Sequence, residues 1–297
     1  MRFRFIRDRL VPREEGGFAV VDCCRVLGVS HSGYYRWLRS PVSKRAEREA
    51  ELVEEIRVVH TKYRRVYGSP RIRDELAKRG RHVNRKTVAK AMRKAEIRAK
   101  TARRFRVATT DGDHAHPVAP NLVGRDFSAD GPNRLWLTDI TYVKTDEGFL
   151  YLAGVMDAWS RSIVGWSMSE SLEATVALDA LGMALARRAS AGGFGGSLVH
   201  HSDRGVQYAC TAYRELLARH GIAASMSRVA DCYDNAMKES FWATLKKELV
   251  HDMEFETFEA ARAAIFEWIE VFYQRERSHS SLGYLSPEAF EAAGRRN

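Results

Sequence analysis

The chain has 297 residues, 45% of them apolar and 29% charged, enough to bury a core in two or three modest domains and too apolar for a disordered chain. It has no apolar run of 18 or more residues, which excludes a spanning helix, and its basic start, Met1 to Arg7, lacks the apolar stretch and cleavage site of a secretory signal. The net charge of +10 is unevenly placed: residues 1–110 hold 30 Lys and Arg against 12 Asp and Glu, while residues 111–297 hold 18 against 26. An excess of that size on one third of a chain is the footprint of a polyanion-binding region, the plainer alternative being solvated helix faces. The four cysteines, Cys23, Cys24, Cys210 and Cys232, form no C-x-x-C pair, so free thiols in a reducing cytoplasm are expected and a zinc site is not.

Residues 18–39 predict a helical pair that turns at Gly28, where a permissive backbone is needed. Cys23, Leu27, Val29, Tyr34 and Trp37 fall where the two helices pack, with Arg36 and Arg39 outward. Ser40-Pro41 ends the pair. A long helix follows from Lys44 to about Tyr63, with Ala50, Val53, Ile56 and His60 at helical spacing. Ser69 reads as an N-cap with Pro70 at the first helical position, and the helix closes near Gly80. Asn84 reads as the next N-cap, with Val83 and Val88 placed as a hydrophobic staple. The helix expected from Arg85 to Ala99 carries Arg85, Lys86, Lys90, Arg93, Lys94 and Arg98, with Val88, Ala91, Met92 and Ala95 inward. It is the best candidate for a helix that reads double-stranded DNA.

Residues 101–133 lose periodicity and are rich in Gly and Pro, as a linker is. Strand-like runs at 135–145, 148–157 and 161–169 predict a three-strand meander, with Asp157 a corner residue paired to Arg161. Then come an apolar-striped helix at 172–188, a strand at 197–201, a helix at 211–220 stopped by Gly221, and a short strand at 222–227. A helix-like run begins at Asn235, an amphipathic helix is expected over Phe255 to Gln274, and Arg275 to Pro287 is turn-rich. The expected divisions are 1–42, a helix-turn-helix-like segment; 43–104, a basic helical DNA-binding domain; 105–132, a linker; 133–250, an α/β catalytic core; and 251–297, a helical extension.

Three acids stand out against this frame. Asp203 follows the strand at 197–201 directly and sits where the chain turns. Asp139 is expected to end a second apolar strand, where a carboxylate without a partner would be costly. Glu239 lies in the helix-like run, with 35 residues between it and Asp203. Two carboxylates from strands and one from a helix suit hard divalent cations: Mg²⁺ takes one or two carboxylates plus water and phosphate oxygens, and two such ions roughly 4 Å apart serve phosphoryl chemistry. His200 and His201 are poorer partners for that ion and are expected to be structural. Helical spacing puts Asn235, Glu239, Trp242 and Lys246 on one face, with Phe241, Leu245 and Leu249 opposite.

The runs Trp136-Leu137-Thr138-Asp139-Ile140-Thr141-Tyr142, His201-Ser202-Asp203-Arg204-Gly205, Tyr233 to Phe241 and His279 to Pro287 together resemble the second-frame transposases of the IS-three group of insertion sequences, and more distantly the retroviral integrases. The resemblance covers about residues 130 to 290, with all four runs in the family's order. It implies a ribonuclease H-like core of five mixed strands behind a helix-turn-helix module, in which the first and fourth strands are neighbours. It implies Asp139, Asp203 and Glu239 as catalytic and metal-holding residues, Mg²⁺ (with Mn²⁺ as substitute) as cofactor, and Lys246 as the family's basic residue seven places after the glutamate. Arg277, His279 and Ser280 are expected near DNA. The implied activity is strand cleavage and strand transfer at insertion-sequence ends. Implied partners are the terminal repeats, target DNA, further copies of the chain, and an upstream-frame protein or frameshift fusion, in a bacterial cytoplasm on the nucleoid. A non-catalytic DNA-binding regulator and a purely hydrolytic nuclease are the alternatives on the same fold.

Overall fold

The computed structural model describes residues 1–9, 18–39, 43–100, 117–124, 126–190, 197–227 and 236–294, with the backbone alone at Arg9 and at residues 236–239. Helices α1 (Arg2–Arg9), α2 (Val20–Val26) and α3 (His31–Arg39) close around Ile6, Cys24 and Tyr34. The turn between α2 and α3 runs through Gly28 at φ 61°, a left-handed conformation that glycine adopts without strain.

Helix α4 (Lys44–Lys62) begins behind Ser43, whose hydroxyl accepts from the Ala46 N–H. Helix α5 spans Ser69–Lys78, with Gly68 rather than Ser69 at the N-cap. The slip of one residue costs no hydrogen bond, because Pro70 still lies in the first turn, where N–H groups have no helical acceptor. Helix α6 (Arg85–Lys94) starts at Asn84, whose side chain accepts from the Lys86 N–H at 2.8 Å. It ends five residues before the expected Ala99. Glu96 turns left-handed at φ 57°, and Ile97 N–H reaches back to Met92 O at 2.8 Å. This is a glycine-type helix stop with no glycine to announce it. Leu52, Ile56, Val59, Ile72, Leu76, Val88 and Met92 bury the three-helix contact.

The sheet has the order β3-β2-β1-β4-β5, from β1 (Leu135–Thr145), β2 (Gly148–Asp157), β3 (Ile163–Ser169), β4 (Val199–Ser202) and β5 (Ala223–Met226). The first three strands are an antiparallel meander; β4 runs parallel to β1, and β5 parallel to β4. Alternation along β1 sends Trp136 to one face and Leu135 and Leu137 to the other. The Trp136 face is covered by α7 (Ala174–Ala189), α8 (Val206–Ala209) and α9 (Thr211–Arg219). The other face receives α10 (Ala236–Glu248) and α11 (Phe258–Glu267). The expected single helix from Phe255 to Gln274 is instead α11, capped by Thr257 Oγ1 on Ala260 N–H, running on into a π-helical segment, Trp268–Glu276. Helix α12 (Pro287–Gly294) is the last described element. No helix among the described residues is long and apolar enough to cross a membrane.

The Asp157 carboxylate does not pair with Arg161. It accepts from Asn133 N–H at 2.8 Å and Trp159 N–H at 3.0 Å, and stands 3.7 Å from Arg188, which is itself held by Glu291 of α12. The contact from Arg161 is a backbone one, its N–H on Asp157 O at 2.8 Å. The helical region is tied to the C-terminal elements: Arg64 pairs with Glu267, Ser278 N–H donates to the Tyr67 hydroxyl at 2.8 Å, and Lys78 donates to Tyr284 O at 3.2 Å.

Candidate active site

The register of β1 on β4 carries the geometry. Leu135 pairs with Val199, Trp136 with His200 and Leu137 with His201. The same count continued by two residues sets Asp139 opposite Asp203, just beyond the carboxyl end of β4. Asp139 does not end its strand; β1 runs past it to Thr145. Asp203 is held in a turn by Gly205, whose N–H donates to Oδ1 at 2.9 Å. A Cβ at Gly205 would stand 3.0 Å from that oxygen, so the turn closes tightly on the carboxylate.

Asp139 is held from the helix side. Its Oδ2 accepts from Trp242 Nε1 at 3.1 Å. Across the sheet Asp139 pairs with Gly154 in β2, and the Trp242 ring lies directly over that glycine: a Cβ there would meet Cη2 at 3.1 Å. The absence of a side chain on Gly154 is what lets the indole reach the acid. On the other face, Thr138 donates to Gly154 O at 3.0 Å and lies 3.4 Å from the Tyr208 hydroxyl. Tyr208 is fully buried; burial, then the charges of Asp139 and Asp203 among other neighbours, hold its phenol well above its ordinary pKa and keep it protonated. Sequence reasoning gave no role to Gly154 or Tyr208. A glycine inside a strand, the signal of a close approach, marks the first; the second has no local signal.

Of the residues expected on the site face of helix α10, Trp242 and Lys246 lie toward Asp139. Phe241, Leu245 and Leu249 are buried, while Trp242 meets Asp139. Lys246 is half-buried with its ammonium 5.1 Å from the centre of the Tyr142 ring; burial lowers its pKa and the charge of Asp139 opposes the shift. Glu239 lies on α10 one turn before Trp242, and its side chain lies outside the described residues, as does all of Asn235. His200 and His201 serve the sheet: one faces the Tyr213 hydroxyl at 3.1 Å, the other Ser225 Oγ at 2.9 Å.

Two expected DNA contacts prove to be packing residues. Arg277 is buried and bonded to both carboxylate oxygens of Glu248 at 2.8 and 2.7 Å, and His279 is buried beside it; Ser280 is exposed. The partner of Arg277 is 29 residues away, so no local pattern announces it. On α6, Arg85, Lys86, Lys90, Arg93 and Lys94 are all exposed, with Lys94 paired to Glu49 of α4 at 2.9 Å. Lys86 and Lys90 line an open groove of about 530 Å³ with Arg45, Arg48 and Arg81.

Two adjacent carboxylates with Thr and Tyr hydroxyls nearby are hard oxygen donors, the chemistry that Mg²⁺ takes. Among the described residues no cluster of three or more His, Cys, Asp or Glu side chains is placed to hold a metal.

An HTH-like domain family matches residues 47–105, and integrase core domain families match residues 129–232 and 220–287. The insertion element IS600 31 kDa protein of Shigella sonnei, described as uncharacterized, is 44% identical over 90% of this chain and 96% of its own length. Transposase InsF for insertion sequence IS3A of Escherichia coli strain K12 is 43% identical over 95% of this chain and 96% of its own. The HTLV-2 integrase catalytic core domain, solved in complex with magnesium in a dimeric form, is 15% identical, covering 55% of this chain and 98% of that one at a TM-score of 0.40. With an HTH-like module ahead of an integrase core of ribonuclease H-like fold, and likeness to InsF along nearly its whole length, the chain belongs to the IS3 family of insertion-sequence transposases.

Proposed function

We propose that Asp139, Asp203 and Glu239 are the catalytic carboxylates of this transposase and hold Mg²⁺, two ions in the working site, with Mn²⁺ as a looser substitute. The observation that carries this reading is the β1–β4 register that sets Asp139 opposite Asp203, together with the Trp242 bond that anchors α10 over Asp139. Glu239, one turn before Trp242, falls on the same face of α10. When bound, the ions supply positive charge to the attacking and leaving oxygens of a phosphodiester exchange. The protein's part is to aim its carboxylates, to keep the Tyr208 phenol protonated behind them, and to position DNA. The reaction cuts one strand at an element end, and the freed 3′-hydroxyl then attacks a second phosphodiester.

Double-stranded DNA is the partner. Arg85, Lys86, Lys90, Arg93 and Lys94 contact the terminal repeats, while Lys246 and Asn235 meet DNA near the acids. The division into a DNA-binding domain at 43–104 and a catalytic core at 133–250 follows the same reading. So do assembly of several copies on DNA, cooperation with an upstream-frame protein or fusion, and residence on the nucleoid in the bacterial cytoplasm.

The test is purified protein with labelled element ends and Mg²⁺ on a denaturing gel. Nicked product with a free 3′-hydroxyl, and joined product, are expected. Asp203→Asn abolishes both and leaves DNA affinity within a few-fold. Cleavage retained by that variant sinks the assignment. Binding without cleavage by the wild type makes the chain a regulator, and hydrolysis without joining makes it a nuclease.

A further inference from the structure

Helix α10 borders two cavities. The small cleft is bounded by Asp139, Gly154 and Trp242. The other is a polar cavity of about 230 Å³, and Met156 and Phe241 line both. Three guanidinium groups converge on the polar cavity: Arg71 from α5, Arg161 from the corner between β2 and β3, and Arg277 after the π-helical segment. Ser240 and Thr244 from α10, with Tyr273, His279, Ser280 and Ser281, also line it.

The charge there is not balanced. Glu248 is bonded to Arg277. Arg71 makes no ion pair among the described residues; its guanidinium is half-buried and lies 5.4 Å from the centre of the Tyr67 ring. Burial, and then the neighbouring charge of Arg277, lower the pKa of Arg71, and the charge of Glu248 offsets them only in part. The Arg161 side chain makes no ion pair among the described residues either. Burial and these same three arginines push the His279 imidazole down to about 2, which leaves it neutral. Arg277 has Glu248 as its bonded counter-charge, while neither Arg71 nor Arg161 makes an ion pair among the described residues. Clustered, partly desolvated cations facing a polar cavity are stabilised by an anion.

We propose that this cavity is a phosphate site that takes one backbone phosphate of the DNA strand running past Asp139, with Arg71 and Arg161 supplying charge and Ser280 a hydroxyl donor. The proposal rests on the reading above for where the strand lies. Its three arginines come from the HTH-like region, the first integrase core match and the second. A phosphate seated there ties Arg71 of the helical region and Arg161 of the core to one strand, so seating of DNA in the catalytic cleft and docking of the helical region become one event.

The experiment uses the full chain, with Arg71→Gln, Arg161→Gln and the double variant. Thermal unfolding is followed in phosphate and in chloride at matched ionic strength, and the salt dependence of binding to a labelled duplex is measured. Phosphate is expected to raise the wild-type Tm more than chloride does, and the double variant to lose that gain. The double variant is also expected to lower the log–log salt slope by about one unit, as for one lost phosphate contact. Arg71→Lys keeps the charge and restores the slope, which separates a lost contact from a misfolded chain. A phosphate-selective gain with an unchanged slope overturns the DNA assignment and leaves a free-anion pocket. No phosphate-selective gain overturns the site. Asp203→Asn leaves both readouts unchanged, so failure of the catalytic reading, seen as cleavage by that variant, registers separately.

Discussion

The indole N–H of Trp242 donates to Oδ2 of Asp139 at 3.1 Å, and the ring that carries it covers Gly154, the cross-strand partner of that acid. On the proposed role of Asp139 as a metal ligand, an outer hydrogen bond of this kind fixes the direction of the carboxylate, and its loss costs about 10- to 100-fold. Trp242→Phe keeps most of the buried ring and removes the donor. Strand cleavage is expected to fall by about that factor while the Tm moves by only a few degrees. Wild-type cleavage by a folded Trp242→Phe protein contradicts the role.

Gly154→Ala tests the same contact from below. The added methyl meets Trp242 Cη2 at 3.1 Å, closer than ordinary packing allows. Overpacking of this sort costs about 1–3 kcal/mol, and here it also lifts the indole from Asp139. Cleavage and stability are expected to fall together. Trp242→Phe in the Gly154→Ala background should then cost less than it does alone, because the bond it removes is already lost. Fully additive losses would show that the two residues act independently.

The sheet was legible in the sequence because each strand is a short apolar run closed by a turn residue, and β1, β2 and β5 fall within a residue or so of the expected bounds. The opposition of Asp139 and Asp203 was legible only through the strand order that the family resemblance implied, since nothing in either run says which strands are neighbours. Helix α8 went unseen because four residues show no period. The partners of Asp157 and Arg277 went unseen for another reason: Arg188 and Glu248 reach them only after the chain has folded back. Charge near a turn suggested Arg161 and DNA, and tertiary packing chose otherwise.

Lys246 offers a test of the α10 face. It lies one turn after Trp242, over Tyr142, and senses the charge of Asp139. A phosphate bound near Asp139 would fall beside it. Lys246→Ala is expected to weaken binding of pre-cleaved end DNA and to lower the salt slope by about one unit, with fold intact. Lys247, about 100° round the helix, is the control. A larger loss from Lys247→Ala than from Lys246→Ala would mean that the strand does not run along this face.

The Arg277–Glu248 pair should behave as a buried ion pair. Burial works against the Arg277 cation, and two hydrogen bonds to Glu248 outweigh it, leaving its pKa raised. Glu248→Gln leaves that cation without its counter-charge and is expected to cost about 3–5 kcal/mol. Glu248→Met with Arg277→Met removes both charges and should cost less than Glu248→Gln alone. Urea denaturation reads both, and a double variant less stable than the single would refute the account.

The final prediction concerns pH. His279 is buried against Arg277, and burial followed by the charges of Arg277, Arg71 and Arg161 pushes its pKa down to about 2. In the unfolded chain the same imidazole titrates near 6.5. As pH falls below that value the unfolded state takes up a proton that the folded state refuses. The contribution of His279 is therefore fully present above about pH 6.5 and is lost progressively as pH falls toward 2. Between pH 7.5 and 5.5 this one group removes about 1.4 kcal/mol. His279→Gln has no such proton to take up. Urea denaturation of both proteins at the two pH values should show the wild type losing about 1.4 kcal/mol more than the variant, whatever their difference at pH 7.5. All other titrating groups are common to the pair and cancel in that comparison. Equal losses would mean that His279 accepts its proton in the folded state, and that the three arginines do not act on it as their positions imply.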